Sequence, residues 1–67
     1  MTGTIKRLVR DRGFGFILGA DGVEYFFYRN AVKNLSFEQA MEGQSVTFED
    51  APGQKGPRAE DVYIERV

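Results

Sequence analysis

The chain has 67 residues, a net charge of −1, and neither cysteine nor histidine. That composition excludes disulfides and thiolate or imidazole metal sites, and it removes the usual nucleophile–base pairs of covalent catalysis. So short a chain is read as one domain, residues 1–67, near the lower size at which a hydrophobic core supports itself.

The first strand is expected over about residues 3–10, and Asp11-Arg12-Gly13 then turns the chain. Strands follow at about 13–19 and 23–29, joined through Asp21-Gly22, a good hairpin turn. Asn30 to Met41 has few β-formers, and Ser36-Phe37-Glu38-Gln39 has the form of a capping box. Either one helical turn or an irregular loop fits there, ahead of Gly43. Two more strands, at about 44–50 and 58–66, flank a polar Pro/Gly loop over 51–57. Five short strands with tight turns predict a small all-β barrel, closed or nearly closed. The expected core is Ile5, Ile17, Phe27, Val32, Val46, Phe48 and Val62, with Leu8, Val9 and Tyr25 at its margins.

Charge and aromatics are unevenly spread. Residues 1–33 hold six basic and three acidic groups, net +3, whereas residues 34–67 hold three basic and seven acidic groups, net −4. Six of the nine aromatic residues fall within residues 14–28, in the positive half. Side chains alternate along a strand, so Phe14 and Phe16 share one face, as do Phe26 and Tyr28. Ile17 demands burial, which turns Phe14 and Phe16 outward. The opposite reading makes both rings core and Ile17 peripheral. Gly15 weighs against it, because a glycine inside a strand packs nothing and signals a close approach. Outward rings bordered by Lys6 and Arg12 form an apolar, cationic patch suited to stacked bases and phosphates.

Arg12-Gly13-Phe14-Gly15-Phe16-Ile17 resembles the first ribonucleoprotein motif, basic-Gly-aromatic-Gly-aromatic-aliphatic. The RNA-recognition motif domain shares it but needs two long helices, which this chain lacks. The cold-shock domain resembles the chain throughout. Gly3-Thr4-Ile5-Lys6 is similar to its opening and Glu24-Tyr25-Phe26-Phe27-Tyr28-Arg29-Asn30-Ala31-Val32 to its second motif. Glu42-Gly43-Gln44-Ser45-Val46-Thr47-Phe48 is similar to its fourth strand, and Gly56-Pro57-Arg58-Ala59-Glu60-Asp61-Val62 to its last.

This resemblance implies a five-stranded antiparallel β-barrel of the OB-fold type that binds single-stranded RNA or DNA, acting as an RNA chaperone or a regulator of transcription and translation; no cofactor or metal is expected. It implies stacking rings at Phe14, Phe16 and Phe26, with Phe37 reaching over from the long loop. Lys6 and Arg12 hold basic positions, Glu24 stands where an aspartate contacts a base, and Lys55 lies in a loop near the strand's end. Three positions depart from the pattern. Arg7 replaces a tryptophan, Tyr28 a histidine, and Arg29 the aromatic after it. Two rings are exchanged for two cations, so binding is expected to lean more on charge. The competing readings are a peptide-binding barrel and a degenerate cold-shock fold kept for protein interaction or oligomerisation; an enzyme is not expected. Met1 to Thr4 leads straight into patterned sequence, and no apolar run reaches leader or membrane-spanning length. The chain thus reads as cytoplasmic, with no membrane partner, and monomeric unless strands are exchanged between copies.

Overall fold

The structure, a computed structural model, describes residues 1–53 and 56–65. Strand β1 spans Thr2–Val9, β2 Phe14–Gly19, β3 Glu24–Tyr28, β4 Ser45–Gly53 and β5 Gly56–Ile64. They close into a barrel in the order β1-β2-β3-β5-β4, with β4 returning to β1 through Thr2↔Thr47, Gly3↔Val46 and Thr4↔Ser45. The hairpin at Asp21-Gly22 forms as expected, with Gly22 at φ 82°.

The expected five-stranded barrel forms with antiparallel pairing at every seam but one. β3 and β5 run parallel, meeting at Phe26↔Arg58, with Val32↔Val62 as a further parallel bridge. Strand directions cannot alternate all the way round a closed ring with an odd number of members. One neighbouring pair must run the same way, and the long β3–β4 connection supplies it.

That connection holds two 3₁₀ turns, Arg29–Ala31 and Phe37–Gln39. Of the two readings of Ser36–Gln39, the helical turn is the one adopted. The Gln39 side-chain oxygen accepts from the Ser36 backbone N–H at 3.3 Å. Two side chains tie the connection down. Arg10 donates to the carbonyls of Glu38, at 2.9 Å, and Ala40. Asn34 donates to the Ile64 carbonyl at 2.8 Å and accepts from the Ile64 N–H at 2.9 Å, continuing the sheet where the backbone has left it.

The core contains Ile5, Ile17, Tyr25, Phe27, Phe37, Ala40, Val46, Phe48, Ala59, Val62 and Ile64. Tyr25 is fully inside rather than marginal, and Val32 packs half-buried against the cluster. Gly15 explains how close the packing is. A Cβ there would sit 2.7 Å from the Arg7 carbonyl and 2.8 Å from the Phe27 ring. The close approach inferred from that glycine is therefore real, and it identifies the Gly15 face of β2 as interior.

Candidate nucleic-acid interface

Register fixes the outer face. β2 and β3 pair Phe14 with Tyr28 and Phe16 with Phe26, so all four rings stand on the side opposite Ile17, Tyr25 and Phe27. Adjacent rings are close but not coplanar. Phe14 and Phe26 lie 5.2 Å apart at 37°, Phe16 and Phe26 5.8 Å apart at 69°, and Phe26 and Tyr28 4.6 Å apart at 89°. Such tilted and edge-on contacts are favourable between rings, and they leave ring faces turned away from one another. The three phenylalanines are half-buried, while Tyr28 is 51% exposed.

A bulge in β1 decides where Arg7 goes. Ile5 pairs with Ile17 and faces inward, yet Arg7 pairs with Phe16, so Lys6 is the extra residue. Strict alternation would carry Arg7 to the same side as Ile5. The inserted residue reverses the parity, and both Lys6 and Arg7 are exposed while Leu8 packs on the core.

The basic residues fall into two groups. Lys6 pairs with Glu24 at 2.8 Å, so two of the expected contact residues hold each other at one end of the ring face. Both are about half exposed, and such a pair contributes little stability and opens readily. Among the described residues, Arg7, Arg12 and Arg29 form no ion pair and no side-chain hydrogen bond. Arg29 follows Tyr28, and its stem runs over Gly13, 2.9 Å from where a Cβ would be. Gly13 has φ 75° and its carbonyl accepts from the Arg29 N–H at 2.8 Å, joining the β1–β2 turn to the end of β3.

Phe37 is corrected. Its ring is 5% exposed and packs 6.1 Å from that of Phe27, inside the barrel. The 3₁₀ turn and the Arg10 hydrogen bonds pull the connection against the barrel, so Phe37 closes the core instead of reaching over the rings. Lys55 lies outside the described residues. Two further residues belong to the face. Leu18, 43% exposed, continues the Phe14–Phe16 row opposite Glu24, and the same alternation that selects the phenylalanines selects it. Arg58 is the neighbour of Phe26 across the parallel seam. Sequence carried no signal for it, because that pairing joins distant segments.

A closed five-stranded barrel with rings and cations gathered on one face is an OB-type nucleic-acid-binding architecture. Residues 1–65 match the 'Cold-shock' DNA-binding domain, and the chain belongs to that family, whose members bind nucleic acid. It is 42% identical over 60 residues to Cold shock protein 2 of Lactiplantibacillus plantarum, covering 90% of this chain and 91% of the relative. It is 44% identical over 61 residues to Cold shock-like protein CspLB of Listeria monocytogenes, covering 91% and 92%. With Cold shock-like protein CspB of Escherichia coli it shares 43% over 65 residues, covering 96% and 92%. No described helix is long and apolar enough to cross a membrane.

Proposed function

We propose that this protein binds single-stranded RNA or DNA by stacking bases on Phe14, Phe16, Phe26 and Tyr28. Arg7, Arg12 and Arg29 meet the phosphates. The observation that carries the reading is the group of four outward rings beside three arginines that form no ion pair among the described residues. A phenylalanine cluster on the surface gains the isolated domain little burial, whereas a strand of bases covers it. Lys6 and Glu24 separate on binding, the ammonium to a phosphate and the carboxylate to a base edge. The activity is that of an RNA chaperone or a regulator of transcription and translation under stress, exerted in the cytoplasm by a monomer, without a catalytic step.

Affinity should fall between about micromolar and tens of nanomolar at moderate salt, roughly −8 to −10 kcal/mol. Titration with short oligouridine or oligothymidine, followed by tyrosine fluorescence, tests this, since the chain has no tryptophan to overlap the signal. Phe14→Ala and Phe26→Ala should each weaken binding about 5- to 160-fold, from roughly 1–3 kcal/mol per stacked base, with an unchanged circular dichroism spectrum. Parent-like binding by both variants, or equal affinity for duplex and single strand, would refute the proposal.

A further inference from the structure

Across β3 from the phenylalanines, a groove of about 340 Å³ opens between the Arg29–Ala31 turn and β5. Tyr28, Asn30 and Lys33 line one side, and Arg58, Glu60 and Asp61 the other. Two features make it continuous with the ring face. Tyr28 belongs to both, and Arg58 neighbours Phe26 in register. Phe37 is buried in the core and takes no part in the groove.

The lining has a definite chemistry. Glu60 is held by the Arg58 Nη2 at 2.7 Å, and Asp61 lies 3.8 Å from the Lys33 ammonium. Each ionised carboxylate offers about four acceptor positions and no donor, so one cation leaves acceptor capacity on both. Asp61 is also the single described non-glycine residue with positive φ, at 50°. With each carboxylate paired to one cation, the groove offers a phosphate no net attraction. A base edge bearing N–H groups would complement them.

We propose that this groove reads one base at the end of the bound strand, selecting an exocyclic amino group, as in cytosine, adenine or guanine. The inference rests on the single-strand reading above and extends it by one nucleotide. Uracil and thymine flank their one N–H with a carbonyl on each side, and a carbonyl facing Glu60 or Asp61 is disfavoured. The amino-bearing bases put a donor there, and carboxylates accept from such edges. Tyr28 stacks on the incoming base, while Lys33 and Arg58 hold the two carboxylates in place.

The test compares short oligouridine with the same strand carrying one cytidine at either end. Wild-type protein should bind one of the two substituted strands about five-fold more tightly than uniform oligouridine, about 1 kcal/mol of discrimination. Glu60→Ala and Asp61→Asn, measured separately, should each reduce that ratio at least about two-fold. Asparagine tolerates the left-handed backbone at 61, so Asp61→Asn remains a folded probe if Glu60→Ala does not. Removing a negative charge strengthens binding of both strands together, so only the ratio reports base reading. Normal oligouridine binding with no preference at either end, or an unchanged ratio in the folded variants, would overturn the groove alone. Failure of every strand to bind wild-type protein would overturn the ring-face reading and the groove with it.

Discussion

Replacing Gly15 with alanine tests the packing that turns the rings outward. The added Cβ would lie 2.7 Å from the Arg7 carbonyl and 2.8 and 2.9 Å from two atoms of the Phe27 ring. No flexible side-chain end is available to yield. Phe27 is entirely buried at the centre of the core, and the carbonyl belongs to the β1 backbone beside the bulge. Overpacking of this kind costs roughly 1–3 kcal/mol. For a domain of this size each kilocalorie lowers Tm by about 4–8 °C, so a fall of about 4–24 °C is expected. Thermal unfolding followed by far-ultraviolet circular dichroism measures it. Binding should weaken as well, because relief requires β2 to move and Phe14 and Phe16 move with it. A Tm within about 1 °C of wild type would show that the Gly15 face is not interior and would undo the assignment of the phenylalanines to the surface.

Phe37→Ala should destabilise the domain by about 3–5 kcal/mol through the cavity it leaves, observed as a lower urea midpoint. A stable variant with selectively weakened oligonucleotide binding would instead put Phe37 on the face. If Arg7, Arg12 and Arg29 engage about three phosphates, log K against log salt should slope near −2, and a slope indistinguishable from zero would exclude those contacts. Stability should also respond to pH through Asp21 and Tyr25, joined by a 2.6 Å hydrogen bond. The Tyr25 hydroxyl, then the Val23 N–H, hold the Asp21 carboxyl below its ordinary 3.8, while the same bond to Asp21, with burial, pushes Tyr25 up to about 12. The Asp21 contribution is therefore present above about pH 4 and lost as pH falls through its lowered value, whereas that of Tyr25 is present below about pH 10 and lost toward pH 12. Tm profiles of wild type and Tyr25→Phe should converge at both extremes, and parallel profiles would contradict the coupling.

Legibility in the sequence followed the range of the interactions. The strands, the hairpin at Asp21-Gly22 and the shared face of Phe14 and Phe16 rest on local rules of alternation and turn chemistry, and each could be read from a few neighbouring residues. The rest came from contacts between distant segments. Phe37, set in a segment with little periodicity, is drawn inward by a turn that Arg10, 28 residues from Glu38, holds in place. Ala59 and Ile64 enter the core because β5 closes the ring. The alternative of Phe14 and Phe16 as core residues was decided by the space at Gly15, which depends on where Phe27 lies.

By itself the sequence determined that this is a small all-β chain without thiol or imidazole chemistry, and that aromatic and basic residues gather in its first half. Those properties belong to composition and to the two-residue period of a strand. Only the tertiary structure decided which arginines form no ion pair among the described residues, that Lys6 is held by Glu24, and that Arg7 faces outward beside Phe16. One inserted residue in β1 reverses every side chain after it, and that insertion exists only relative to the partner strand. Barrel closure likewise sets Arg58 beside Phe26, extending the face across a seam that no local pattern encodes.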